Sequence, residues 1–221
     1  MNRAYRVVWN AVMGAWQVAS ELVKSQGKDK SRQSLNLRLV IGVGGGVFAS
    51  VAAAGGLPSG GNIVAGNGSV HQNGNNMAIH QGSDKLAIDW QSFSIGKGNT
   101  VQFVQPGAAS VALNRVLGPD VSVIQGALKA NGHVFLVNPN GVLFTPSAQV
   151  DVGGLVASTL NVSTEDFLAG NYRFSGDSAA SVVNQGNINA AQGGTIALIA
   201  AKIGNEGNIT GWTIKETWEI E

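Results

Sequence analysis

From residue 55 onward the apolar positions come in short bursts, not in helical stripes. Thr100–Val104 (TVQFV), Val121–Ile124 (VSVI), His133–Val137 (HVFLV) and Val142–Phe144 (VLF) are each bounded by Gly, Asn or Pro. Alternating or compact apolar runs of this length between turn residues predict strands. One segment breaks the pattern. Ser163 and Asp166 stand at the spacing of a capping box, with Asp in place of the usual Glu, ahead of Phe167 and Leu168. That predicts a short helix over Ser163–Leu168.

The bursts also repeat. Asn184-Gln185-Gly186-Asn187-Ile188 returns as Asn205-Glu206-Gly207-Asn208-Ile209, with the apolar run Gly194–Ala200 between them. A period of about 20 residues, with Asn-Gly turns and Ile/Val/Leu strands, suggests the coils of a solenoid. Ile, Val, Leu and Ala would stack inward, and Asn and Gly would occupy corners of positive φ. Two copies leave a β-sandwich open as the alternative.

Composition agrees with short strands and tight turns: 221 residues hold 31 Gly, 44% hydrophobic residues, 12% charged residues and no Cys. Low charge and high apolarity exclude a solvated disordered chain. The lack of Cys excludes disulfides and thiolate metal sites and leaves export possible. The net charge of +1 conceals an asymmetry. Arg3, Arg6, Lys24, Lys28, Lys30, Arg32 and Arg38 precede residue 39, against only Glu21 and Asp29. The remainder is mildly acidic, so no basic stripe is left for nucleic acid.

The basic segment leads into Leu39–Ala54 (LVIGVGGGVFASVAAA), an uncharged run. It is short and glycine-rich for a span of roughly 20 apolar residues. It ends in small residues, with Ala52 and Ala54 placed for a signal-peptidase cut. Residues 1–54 therefore read as a secretory leader, with a basic preface over 1–38 and an apolar region over 39–54. Tyr5, Val8, Trp9, Val12, Met13 and Trp16 fall mostly at helical spacing, which predicts a transient amphipathic helix at a membrane surface. The residues Tyr5-Arg6-Val7-Val8-Trp9-Asn10 and Val18-Ala19-Ser20-Glu21-Leu22 resemble the extended signal-peptide region of large Gram-negative secreted proteins. That resemblance implies slow Sec-dependent passage across the inner membrane.

A second resemblance covers Leu57 to Leu160. It rests on Leu57-Pro58-Ser59-Gly60-Gly61, Ile88-Asp89-Trp90-Gln91-Ser92-Phe93-Ser94-Ile95-Gly96 and Val101-Gln102-Phe103-Val104-Gln105-Pro106. It continues through Leu113-Asn114-Arg115-Val116, Ile124–Gly132, Val134–Phe144 and Val152–Thr159. Together these are similar to the secretion domain of two-partner-secretion exoproteins, the filamentous-haemagglutinin or haemagglutination-activity amino-terminal domain. The resemblance implies an all-β, right-handed parallel β-helix with an amino-terminal cap and extra-helical hairpins, here over residues 55–210. It also implies a monomeric targeting module recognised by the POTRA domains of an Omp85-type outer-membrane transporter. Secretion to the surface of a Gram-negative bacterium, via the periplasm, would follow. Adhesins, cytolysins and contact-dependent growth-inhibition toxins share this front end. An adhesive module that itself binds host glycans or proteins is the alternative.

Several residues are singled out on this basis. Asn138-Pro139-Asn140-Gly141 reads as a turn: Pro fixes φ, and Asn-Gly supplies positive-φ positions. It is a structural corner first and a surface for the transporter second. Trp90 and Phe93 read as core or cap residues. Arg115, beside Asn114, reads as a side chain that satisfies carbonyls at a coil edge, ahead of partner contact. No catalytic constellation, cofactor or metal is expected: His71, His80 and His133 lack metal-ligand spacing, and Gly176-Asp177-Ser178 lacks a nucleophile elbow. Gly211–Glu221 (GWTIKETWEIE) abandons the Gly/Asn/Ala style of the coils. The expectation for it is a truncated or frameshifted tail, leaving an uncapped and aggregation-prone last coil.

Overall fold

The structure is a computed structural model that describes residues 5–10, 15–20 and 56–211. In the leader, β1 (Tyr5–Asn10) and β2 (Ala15–Ser20) pair as an antiparallel hairpin. This corrects the expected amphipathic helix. Both runs are rich in aromatic and β-branched residues, which favour extended backbone. Ala52 and Ala54, and the tail beyond Gly211, lie outside the described residues.

The body winds coil by coil. β3 (Asn62–Ala65) and β4 (Gly68–Asn73) come first, and the first coil follows with β5 (Asn76–Gln81) and β6 (Lys85–Trp90). The second coil is β7 (Thr100–Val104), β8 (Val111–Val116) and β9 (Ser122–Ile124). The third is β10 (Ala127–Ala130), β11 (His133–Val137) and β12 (Val142–Phe144). The fourth is β13 (Gln149–Val152) and β14 (Gly154–Ser158), then, after an excursion carrying α1 (Thr164–Ala169), β15 (Ser181–Asn184). The fifth is β16 (Asn187–Ala190), β17 (Ile196–Ile199) and β18 (Lys202–Asn205), and β19 (Asn208–Thr210) opens a sixth.

Successive coils pair in parallel along three faces. The seven-stranded face runs β19-β16-β13-β10-β7-β5-β4, the six-stranded face β17-β14-β11-β8-β6-β3, and the four-stranded face β18-β15-β12-β9. This parallel stacking excludes the sandwich and makes the chain a parallel β-solenoid. At the amino end the direction reverses: β4 pairs antiparallel with β5, and β3 antiparallel with β6. These two strands are the amino-terminal cap.

Registry puts like with like. Met77, Val101, Leu128, Val150, Ile188 and Ile209 are successive partners and form one inward column. Leu86, Ala112, Val134, Leu155 and Ile196 form another. Burial of each large aliphatic side chain contributes roughly 1.5–3 kcal/mol. The corners before β11, β14 and β17 approach so closely that only glycine fits. A Cβ on Gly153 would lie 2.7 Å from the Gly132 carbonyl oxygen, and one on Gly194 would overlap the Gly153 carbonyl.

Among the described residues every positive φ belongs to glycine. The expectation that Asn supplies such corners is therefore corrected. The asparagines stack instead: Asn184 Nδ2 donates to Asn205 Oδ1 (2.8 Å), and Asn208 Nδ2 to Asn187 Oδ1 (2.9 Å). Side-chain amides carry both a donor and an acceptor, so identical residues in successive coils can pair.

The α1 excursion packs on the outside of the six-stranded face. Ser163 is the N-cap, its Oγ accepting from the Asp166 N–H, and Gly170 (φ 85°) closes the helix. The helix is shifted by one residue toward the carboxyl end of the expected span.

Candidate recognition corner

The predicted site residues divide into two groups, interior and corner. Trp90 and Phe93 are fully buried, in edge-to-face contact at 5.6 Å between ring centroids. The Trp90 Nε1–H donates to Asn114 Oδ1 (3.0 Å). Asn114 lies in the inward column between Ile88 and Leu136, with 0% exposure, and its Nδ2 donates to the Ala112 and Phe135 carbonyls. These three are core residues, as read for Trp90 and Phe93, with their side chains buried in the solenoid.

Arg115 points the other way. Its guanidinium pairs with Asp89 (2.8 Å), and Nη2 donates to Thr164 Oγ1 (3.2 Å). The sequence suggests that it satisfies carbonyls at a coil edge. The structure instead gives it a carboxylate and a hydroxyl, because Asp89 is its registry partner on the neighbouring strand.

Asn138–Gly141 links β11 to β12 and is a β-turn, with the Gly141 N–H donating to the Asn138 carbonyl (3.0 Å). Asn138 is buried and scaffolds the corner. Its Oδ1 accepts from the Asn140 N–H (2.9 Å), and its Nδ2 donates to the Asp120 carbonyl and to Ser122 Oγ, both at 2.9 Å. Its own N–H donates to the Ser158 carbonyl (2.9 Å). Pro139 and Asn140 face solvent, and Gly141 alone takes a positive φ (116°). Asn140 Nδ2 donates to the Gly118 carbonyl (2.9 Å), and Ser178 Oγ to the Pro139 carbonyl (2.6 Å). Ser178 thus has a structural partner, in a segment that sequence alone only sets aside as a hydrolase loop.

Sequence reasoning misses the segment that this network holds in place. Residues 117–121 join β8 to β9 and lie against the turn. Within them Leu117 is 60% and Val121 42% exposed, with exposed Pro119 and Asp120 between. The signal is present as Leu117-Gly118-Pro119-Asp120-Val121, apolar residues on a turn that has no room to bury them. A corner of this kind, apolar at the tip and rigid beneath, can bind another surface.

Elsewhere the chemistry is sparse. His71 and His80 meet edge to face at 5.9 Å on the β4–β5 hairpin. His133 lies on β11, and burial pushes its imidazole below the ordinary value. Among the described residues no group of three or more His, Asp or Glu could hold a metal, and no helix is long and apolar enough to cross a membrane.

Comparison with known proteins agrees with this architecture. Residues 49–214 match the model of the TPS secretion domain, and residues 1–50 match the extended signal peptide of the type V secretion system. Two Haemophilus influenzae proteins, each named heme/hemopexin-binding protein, are similar to the chain. One is 50% identical over 111 residues, the other 49% over 98, covering 50% and 44% of this chain. The matched stretches span only 12% and 11% of those relatives. The crystal structure of the HMW1 secretion domain from Haemophilus influenzae superposes with a TM-score of 0.64 at 33% identity. That match covers 70% of this chain and 42% of the other. With a leader and a solenoid each matched along most of its length, the chain belongs to the two-partner-secretion domain family, exported by way of the periplasm of a Gram-negative bacterium.

Proposed function

We propose that the secretion domain is a binding module, not a catalyst, read by the POTRA domains of an Omp85-type outer-membrane transporter. The corner of residues 117–121 and 138–141 is the reading surface. One observation supports this above the others: Leu117 and Val121 stand exposed on a corner whose base is fixed by buried Asn138. Rigid presentation lowers the entropy lost on binding. On this reading Asn138, Asn140 and Gly141 shape the surface, and Leu117, Val121 and Pro139 touch the partner. What the relatives bind, by their names heme or hemopexin, is a property of chains of which this one matches about an eighth.

Calorimetry of the exported chain against the transporter's periplasmic part tests the proposal. Leu117→Asp together with Val121→Asp is expected to weaken binding at least tenfold while leaving the unfolding midpoint unchanged. Gln102→Asp, on the seven-stranded face, is expected to leave binding intact. A double variant that binds like the parent would remove the corner from the interface.

The second reading, an adhesive module for host glycans or proteins, has its own supporting feature. The outer seven-stranded face presents Gln102, Gln149, Asn187 and Asn208, amides suited to sugar hydroxyls. Cell binding without transporter binding would reverse the ranking.

A further inference from the structure

A solenoid ordinarily lets each coil contact only its neighbours, so that stability is a sum of local terms. The segment between β14 and β15 departs from that rule. On the six-stranded face Ala87, Leu113, Phe135, Val156 and Ala197 are successive registry partners and form an outward column through five coils. With Val111, Val137 and Ile199 they make a second apolar cluster, outside the solenoid core. Its cover is Leu160, Val162, Phe167 and Phe174, all buried and all from the excursion. Phe135 is the centre of the contact, with ring centroids 4.9 Å from Tyr172, 6.1 Å from Phe167 and 6.0 Å from Phe174.

Polar ties bind the same segment to the earliest coils. Lys85 of β6 donates to the Leu168 carbonyl at the carboxyl end of α1 (2.7 Å). Arg115 of β8 donates to Thr164 at its start. Asn161 and Ser175 close the base of the excursion with two backbone hydrogen bonds (3.0 and 2.9 Å).

We propose that residues 159–180 are a strap that turns the amino-terminal coils from a progressively wound stack into one all-or-none unit. Until Phe167 and Phe174 arrive, the outward faces of β6, β8 and β11 are bare apolar surface. The early coils therefore gain full stability only from residues that come much later in the chain. Folding of the domain is gated by the strap and not by each coil in turn. This inference is independent of the partner that the corner takes.

Hydrogen exchange of the exported chain, resolved by strand, tests it. Phe167→Ala is expected to speed exchange in β6 and β8 together with α1, by a common factor on the order of 100-fold. Ile188→Ala removes apolar bulk from the fifth coil on the seven-stranded face, away from the strap. It is expected to speed exchange in β16 and β19 and to leave β6 and β8 unchanged. Should Phe167→Ala fail to fold, Lys85→Met reads the same pattern at several-fold, since it loosens one tie and keeps the packing. Acceleration confined to residues 160–175 in either strap variant would overturn the proposal.

Discussion

Asn114 shows how one polar side chain can be required inside an apolar column. It joins Trp90 to the Ala112 and Phe135 carbonyls, and each of these groups is removed from water. Asn114→Leu keeps the branching and heavy-atom count of the side chain while removing its donors and acceptor, so its effect reads chiefly the loss of partners. A destabilisation of about 1–3 kcal/mol is expected, read as a lowered denaturant midpoint. His133 supplies a pH test. Burial holds its folded value below the ordinary one near 6.5, so at mildly acid pH the unfolded chain binds more protons. Stability is therefore full above about pH 6.5 and is lost as pH falls through the lower, folded value. His133→Gln is expected to flatten that part of the stability-pH curve. At this scale the sequence is partly legible. Trp90 and Phe93 are recognisable as core by size and setting. Asn140 is not so plain, because an Asn-Gly pair is compatible with positive φ at either residue and only Gly141 uses it.

Among the elements, α1 is legible because its cap is local: Ser163 and Asp166 carry the signal within four residues. The last two coils are legible because Asn184 and Asn205 recur in phase and hydrogen-bond to each other. The earlier coils hide their period behind corners of different length and behind the strap. The leader hairpin misleads because Tyr5, Val8, Trp9, Val12, Met13 and Trp16 satisfy a helical spacing, while the β-branched and aromatic character of Tyr5, Val8, Trp9 and Trp16 suits strands. The docking of α1 cannot be read at all. β11 is apolar on both faces, and sequence alone does not tell which of Val134, Phe135, Leu136 and Val137 faces the solenoid core and which the strap.

For the whole molecule, the three faces have different outward chemistry: amides on the seven-stranded face, strap-covered apolar surface on the six-stranded face, and an exposed corner between the six- and four-stranded faces. The glycine corners hold these faces in step. Gly153→Ala would force a methyl against the Gly132 backbone, whereas a methyl on Gly107 would meet nothing within 4 Å. Thermal unfolding is expected to show Gly153→Ala destabilised by about 1–3 kcal/mol and Gly107→Ala within about 0.5 kcal/mol of the parent. The same column of Gly132, Gly153 and Gly194 has a consequence for fidelity. A repetitive chain offers many near-equivalent ways to wind, and a slip by one residue would bring Asn131 and Val152, or in the other direction His133 and Thr195, into places that only glycine fits. Such a coil would meet a carbonyl where the correct one meets space, and the clash disfavours the slipped winding. The column works as a tally of notches, proofreading each winding by the atoms it leaves out.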